Sequence, residues 1–264
     1  RGNIDETILR KNAAKEKINS IEKQIKILKP KFVMPFASFV YFSNIENFYM
    51  NDAYNTPRNI MDKIKDNNSK ILFFKPFDKW EIGSDHDSTE SLVFWDNKFS
   101  KINKNQLNTY KSVEQIELKE NFIKYVNKIK KKNNFFLMRI ASMTPFVNAF
   151  KPFVIYISDL DKYVSFNIFK NIEFSNDVIP YQIKMHSNSL NFIFKNEFGF
   201  DTLLVNACFE SNFNNFIIVS KTLSIGSLNA MGIFINLKAI FDFNIFIKFI
   251  IKIINARKKF QLNS

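Results

Sequence analysis

Pro30-Lys31-Phe32-Val33-Met34-Pro35-Phe36-Ala37-Ser38-Phe39-Val40-Tyr41-Phe42-Ser43-Asn44-Ile45-Glu46-Asn47-Phe48-Tyr49-Met50-Asn51-Asp52-Ala53-Tyr54-Asn55-Thr56-Pro57 falls into two parts. Phe32 to Phe36 is a short apolar run of the kind a buried strand makes, and it leads into a segment crowded with Asn, Asp, Glu and Tyr. There Asn44, Glu46, Asn47, Asn51, Asp52 and Asn55 alternate with Phe48, Tyr49 and Met50. So many amides and carboxylates among aromatics exceed what an exposed turn requires, and loops at strand ends are where a rigid sheet positions binding groups. Two readings stand side by side. Asn44, Glu46, Asn47, Tyr49, Asn51, Asp52 and Asn55 line a binding site, or these side chains cap their own backbone through Asx turns.

Outward from this stretch the pattern is helical on both sides. Before it, Ile18, Ile21, Ile25 and Leu28 recur at three- and four-residue spacing, which predicts a helix over 5–28 that Pro30 stops. After it, Thr56-Pro57 has a capping residue followed by a proline at the first helical position, so a helix is expected over 58–65. Ile71 to Phe74 reads as a short buried strand and Trp80 to Ile82 as another, ending at Gly83. Ser84-Asp85-His86-Asp87-Ser88 places a histidine between two aspartates, but adjacent side chains diverge and the cluster suits a turn better than a metal site.

The segments 30–37, Phe42-Ser43-Asn44, Tyr54-Asn55-Thr56-Pro57-Arg58-Asn59 and Lys75-Pro76 resemble the end of the catalytic domain in the CMP-N-acetylneuraminate hydroxylase family. They are similar also to related bacterial hydrolases of the metallo-β-lactamase fold. The resemblance is specific over roughly residues 15–83 and weaker around 187–210. It implies the C-terminal part of an αββα sandwich, a small anionic substrate such as a sugar nucleotide, and zinc or iron in a full-length relative. Where the family has a metal-binding His after a Ser, this chain has Asn44 after Ser43, and an amide is a poor transition-metal ligand beside imidazole. The family's His-x-His-x-Asp-His cluster is missing from the sequence. The chain begins at Arg1 without a Met. The expectation is therefore a fragment that lacks its metal-binding half and is itself inactive, with no cofactor of its own. An upstream catalytic half of the same chain, on the order of ~100–200 residues, is then implied.

Composition sets further bounds. Hydrophobic content of 46% with 24% charged residues describes a globular chain. The 32 phenylalanines accompany abundant Asn, Lys and Ile, a bias that an AT-rich coding sequence produces, so they are discounted as a functional signal. The formal charge of +13 favours anionic partners, and its densest run is Lys128, Lys130, Lys131 and Lys132. No nucleic-acid motif accompanies it, so specific nucleic-acid recognition is not expected. Cys208 is the one cysteine, which excludes a disulfide framework and the Rieske centre of the animal hydroxylases, and suits a reducing, cytoplasmic setting.

Polar residues over 97–112 mark a boundary, giving domains 1–107 and 108–264. In the second, 113–132 has helical spacing, 135–150 suggests another helix, and 153–158 with 163–169 alternate as a β-hairpin. Tyr181 to His186 reads as a strand, 187–196 as a helix stopping near Gly199, and Thr202 to Phe209 as a further strand that buries Cys208. The class is α+β with a mainly antiparallel sheet. The element order, with Met185-His186-Ser187-Asn188-Ser189-Leu190 and Gly199-Phe200-Asp201-Thr202-Leu203, resembles sterol-carrier-protein-2-like domains. That resemblance implies an apolar pocket, with Phe192, Phe194, Leu203 and Val205 as candidate lining residues; the competing reading is that these residues simply pack the core. The tail 232–254 reads as an amphipathic helix, because Lys238, Asp242, Lys248 and Lys252 would cost about 2.5–3.5 kcal/mol each near a bilayer centre. The alternative to the hydrolase fragment is thus a non-catalytic module for an apolar ligand or an anionic membrane surface, which Arg257-Lys258-Lys259 would suit.

Overall fold

A computed structural model describes residues 6–36, 39–64, 68–144, 147 and 149–237. The chain divides into two compact units, Arg1–Tyr110 and Lys111–Ser264, and its class is α+β. Most of the expected tail helix, and Arg257 to Lys259 with it, lies outside the described residues. Among the described residues no helix is long and apolar enough to cross a membrane.

The first unit runs α1 (Thr7–Leu28), β1 (Phe32–Val33), α2 (Pro57–Lys63), β2 (Lys70–Ile71) and α3 (Thr89–Phe99). Lys29 closes α1 in the left-handed conformation and Pro30 prevents its continuation. Strands β1 and β2 are parallel, Phe32 opposite Lys70 and Val33 opposite Ile71, with α2 as the crossover. Thr56 caps α2 through a reciprocal box with Asn59, and Pro57 sits in its first turn. Two sequence expectations are corrected. The ladder covers two residues on each side, so 34–36 and 72–74 are not strand; and 80–82 is loop, where Trp80 packs edge-on against Phe32 at 5.2 Å. Ile18, Ile25, Ile60, Ile64, Ile71, Phe73 and Leu92 form the core.

The second unit contains α4 (Gln115–Lys132), α5 (Phe135–Met143), β3 (Phe153–Ile157), β4 (Lys162–Phe166), β5 (Glu173–Ser175) and β6 (Ile183–Met185). Four helices follow: α6 (Ser187–Lys195), α7 (Gly199–Asn206), α8 (Phe213–Leu223) and α9 (Ile225–Ala230). The sheet order is β5-β4-β3-β6, antiparallel except for the parallel β3–β6 pair. Alternation puts Phe153, Ile155 and Ile157 in the core. Phe122 of α4 and Phe194 of α6 meet Phe166 there at 5.3 and 6.2 Å.

The expected strand over 202–209 is instead α7 with the turn after it. Gly199 does not stop a helix. It begins α7, where a Cβ would lie 2.7 Å from the Ile193 Cα and from the Phe192 carbonyl oxygen, so the glycine allows α7 to approach α6. Cys208 is buried, though after a helix and not in a strand.

Candidate functional site

The seven residues singled out in the sequence occupy one loop that follows β1 and includes a 3-10 turn over Phe48–Ala53. Loops at the C-terminal ends of parallel strands are where open α/β sheets collect ligands. Of the seven, Asn47 is buried, Asp52 is exposed and the other five are half-buried. Asn51 acts as a detached peptide group. Its Oδ1 accepts from the Phe42 N–H at 2.8 Å, while Nδ2 donates to the carbonyls of Phe42 and Phe48 at 2.8 and 2.9 Å. Asn47, buried, accepts the Asn44 N–H at 3.1 Å. Asn44 donates through Nδ2 to the Tyr110 hydroxyl at 2.9 Å, and its neighbours bond the Asn108 backbone, Ile45 N–H to the Asn108 carbonyl at 3.1 Å and Asn108 N–H to the Ser43 carbonyl at 2.8 Å. Asn55 donates to the Ala14 carbonyl of α1 at 2.8 Å.

Asp52 ties the loop to α1 by charge. Arg10, 4% exposed, donates from Nε and Nη2 at 2.8 and 2.5 Å, and Thr7 adds its hydroxyl at 2.7 Å. The Arg10 hydrogen bonds hold the Asp52 carboxyl below its ordinary range against the opposing effect of burial, and the same contacts hold the guanidinium more firmly charged. The Arg10 guanidinium also lies 5.0 Å from the Tyr49 ring centroid. Glu46 is half-buried in the same loop.

These residues do not fit a transition metal. The Asn44 amide donates to Tyr110 and both Asp52 oxygens are held by Arg10. The 84–88 cluster is equally dispersed. Asp85 meets Lys70 at 2.9 Å, Asp87 accepts the Thr89 N–H, and His86 Nε2 donates to the Phe73 carbonyl at 2.8 Å. Among the described residues no three His, Cys, Asp or Glu converge as a metal site requires.

A second polar constellation, not assembled from the sequence, lies in the other unit. Asp159, in the β3–β4 turn, accepts the Ser187 N–H at 2.7 Å and the Ser187 hydroxyl at 2.6 Å. His186 caps α6 by accepting the Asn188 N–H on Nδ1, which leaves Nε2 carrying the ring proton 3.5 Å from Asp159 Oδ2. Ser187 Oγ in turn accepts the Val113 N–H at 2.7 Å. Burial raises the Asp159 pKa, but hydrogen bonds from Ser187 and Ser112 outweigh it and the net shift is downward. Asp, His and Ser together invite comparison with a hydrolytic triad, but the hydroxyl is fully buried and its proton points to the carboxylate, not to the imidazole. The cluster locks the hairpin turn, the approach to α4 and the start of α6. The Ser158-Asp159 turn and the His186-Ser187 helix start were each visible in the sequence, but their meeting required the fold.

The four residues expected to line an apolar pocket are divided between core and surface. Phe194 and Leu203 are core, whereas Phe192 is 38% and Val205 78% exposed. A cavity between Tyr125, Phe194 and Asn229 has about 20 Å³. That is room for about one water molecule. No protein-family model, curated protein or solved structure matches the chain.

Proposed function

We propose that the first unit supplies a non-catalytic wall of a metal-dependent hydrolase of the metallo-β-lactamase type. In this reading the metal-binding half, with its zinc or iron, lies upstream of Arg1, and the substrate is a small anion. The observation that carries the reading is the loop 42–55. It follows a parallel strand and is held in one shape by Asn51, Asp52 and Asn55, as a preformed rim requires. The β1–β2 pair supports it, because strands of two residues each are too short to stand as a sheet and call for further strands beside them. The charge of +13 suits an anionic substrate.

No catalytic step is assigned to the described residues, where Asn44 and Asp52 are engaged by Tyr110 and Arg10 and the Ser187 hydroxyl of the Asp159–His186–Ser187 cluster is buried. The test is the genomic sequence 5′ of the Arg1 codon. An open reading frame continuing for ~100–200 residues with a His-x-His-x-Asp-His cluster is expected. A start signal preceded closely by an in-frame stop would leave a stand-alone binding module instead.

A further inference from the structure

Helix α5, Phe135-Phe136-Leu137-Met138-Arg139-Ile140-Ala141-Ser142-Met143, is apolar apart from Arg139 and Ser142, so its apolar side chains extend beyond the stripe that faces a core. Here one side is packed, with Met138 fully buried and Phe135 and Ala141 against the core. Phe136, Ile140 and Met143, spaced by four and three residues on one face, are 71%, 46% and 78% exposed. Exposed aliphatics scattered singly are ordinary, but a helical stripe of three is not.

The charge around the stripe indicates what covers it. Between Asn121 and Ser158 the sequence has seven Lys or Arg and no Asp or Glu. Lys130, Lys131 and Arg139 are exposed on or just before α5, and the Lys130 ammonium sits 5.0 Å from the Phe135 ring centroid at the helix start. Lys132 shares its charge with Glu197 at 3.0 Å. An apolar stripe fringed by cations, without a carboxylate on its own helix, matches the boundary between acyl chains and anionic headgroups.

We propose that this face of α5 docks the protein on an anionic lipid surface, with Phe136, Ile140 and Met143 entering the headgroup–acyl boundary and Lys130, Lys131 and Arg139 meeting phosphates. The inference does not rest on the hydrolase reading. The test is co-sedimentation of the full chain with vesicles of phosphatidylcholine alone or with about one-third phosphatidylserine. Binding to the anionic vesicles is expected, at least about tenfold tighter than to neutral ones and weakened by salt. Met143→Asp should reduce it about tenfold or more with an unchanged melting curve, and Arg139→Glu should reduce it while abolishing part of the lipid-charge dependence. No anionic preference, or binding indifferent to both variants, would overturn the proposal. It would be overturned as well if Met143→Asp lowered the melting temperature, which would mean that the chain covers the stripe itself, or converted a dimer to a monomer, which would make it a self-association surface.

Discussion

Among the described residues, the main apolar cluster of the first unit has seven buried side chains, whereas that of the second has twenty-six. The units differ far less in length, so the first must rely on directional polar contacts where the second relies on burial. Arg10–Asp52, Asn51 to the Phe42 backbone, Asn55 to Ala14 and Ser69 to the Pro30 carbonyl join distant segments of the first unit. In the second, aromatic packing of Phe122, Phe153, Phe166 and Phe194 does the equivalent work. A loop dense in amides and carboxylates can therefore be the internal framework of a thin-cored unit, and the same residues are what a binding loop would display.

The largest effect should come from the apolar side of this contrast. Phe166→Ala removes a fully buried ring that packs on Phe122 and Phe153, and should cost about 3–5 kcal/mol by chemical denaturation. A loss below about 1 kcal/mol would mean the core is looser than the contacts indicate.

Next comes the charge clamp. Asp52→Asn leaves the buried Arg10 without its counter-charge and should cost the first unit about 1.5–3 kcal/mol, with the second unit unchanged. The pH dependence has a definite sign. The Asp52 pKa is lower folded than its ordinary 3.8, so its stabilisation is complete above that value and is lost as pH falls through the folded pKa. The first unit should weaken on acidification below about pH 4, and Asp52→Asn should flatten that dependence. An unchanged acid profile in the variant would assign acid sensitivity to other carboxylates.

The smallest effect sharpens the comparison at one helix end. Thr56→Ala removes the hydroxyl that accepts the Asn59 N–H and should cost roughly 1 kcal/mol in the first unit. Amide exchange would locate the loss: protection should fall in α2 and hardly at all in α6.

Local signals were the legible ones. Thr56-Pro57, the alternation of 153–157 against 162–166, and the Ile18–Ile25 periodicity each arise from the chain's own backbone chemistry, and the elements formed where those signals stood. Residues 202–209 read as a strand because Leu203, Leu204 and Val205 form a short apolar run that periodicity cannot assign to helix or strand, and Gly199 reads as punctuation although its cause is contact with α6. Glu173 to Ser175 is too short an edge strand to leave an alternation signal. The seven loop residues were found as a group, but that Asp52 faces Arg10 and Asn55 faces Ala14 depends on long-range packing that composition cannot express.

The most direct test of the contrast uses the two tryptophans, Trp80 and Trp95, both in the first unit. Denaturation followed by tryptophan fluorescence reports that unit alone, whereas far-UV circular dichroism reports the helices of both. The account predicts non-coincident curves, with the fluorescence midpoint at lower denaturant and a later dichroism transition for the second unit. A single transition, superimposable by both probes, would contradict the division into a polar-wired unit and an apolar-cored one.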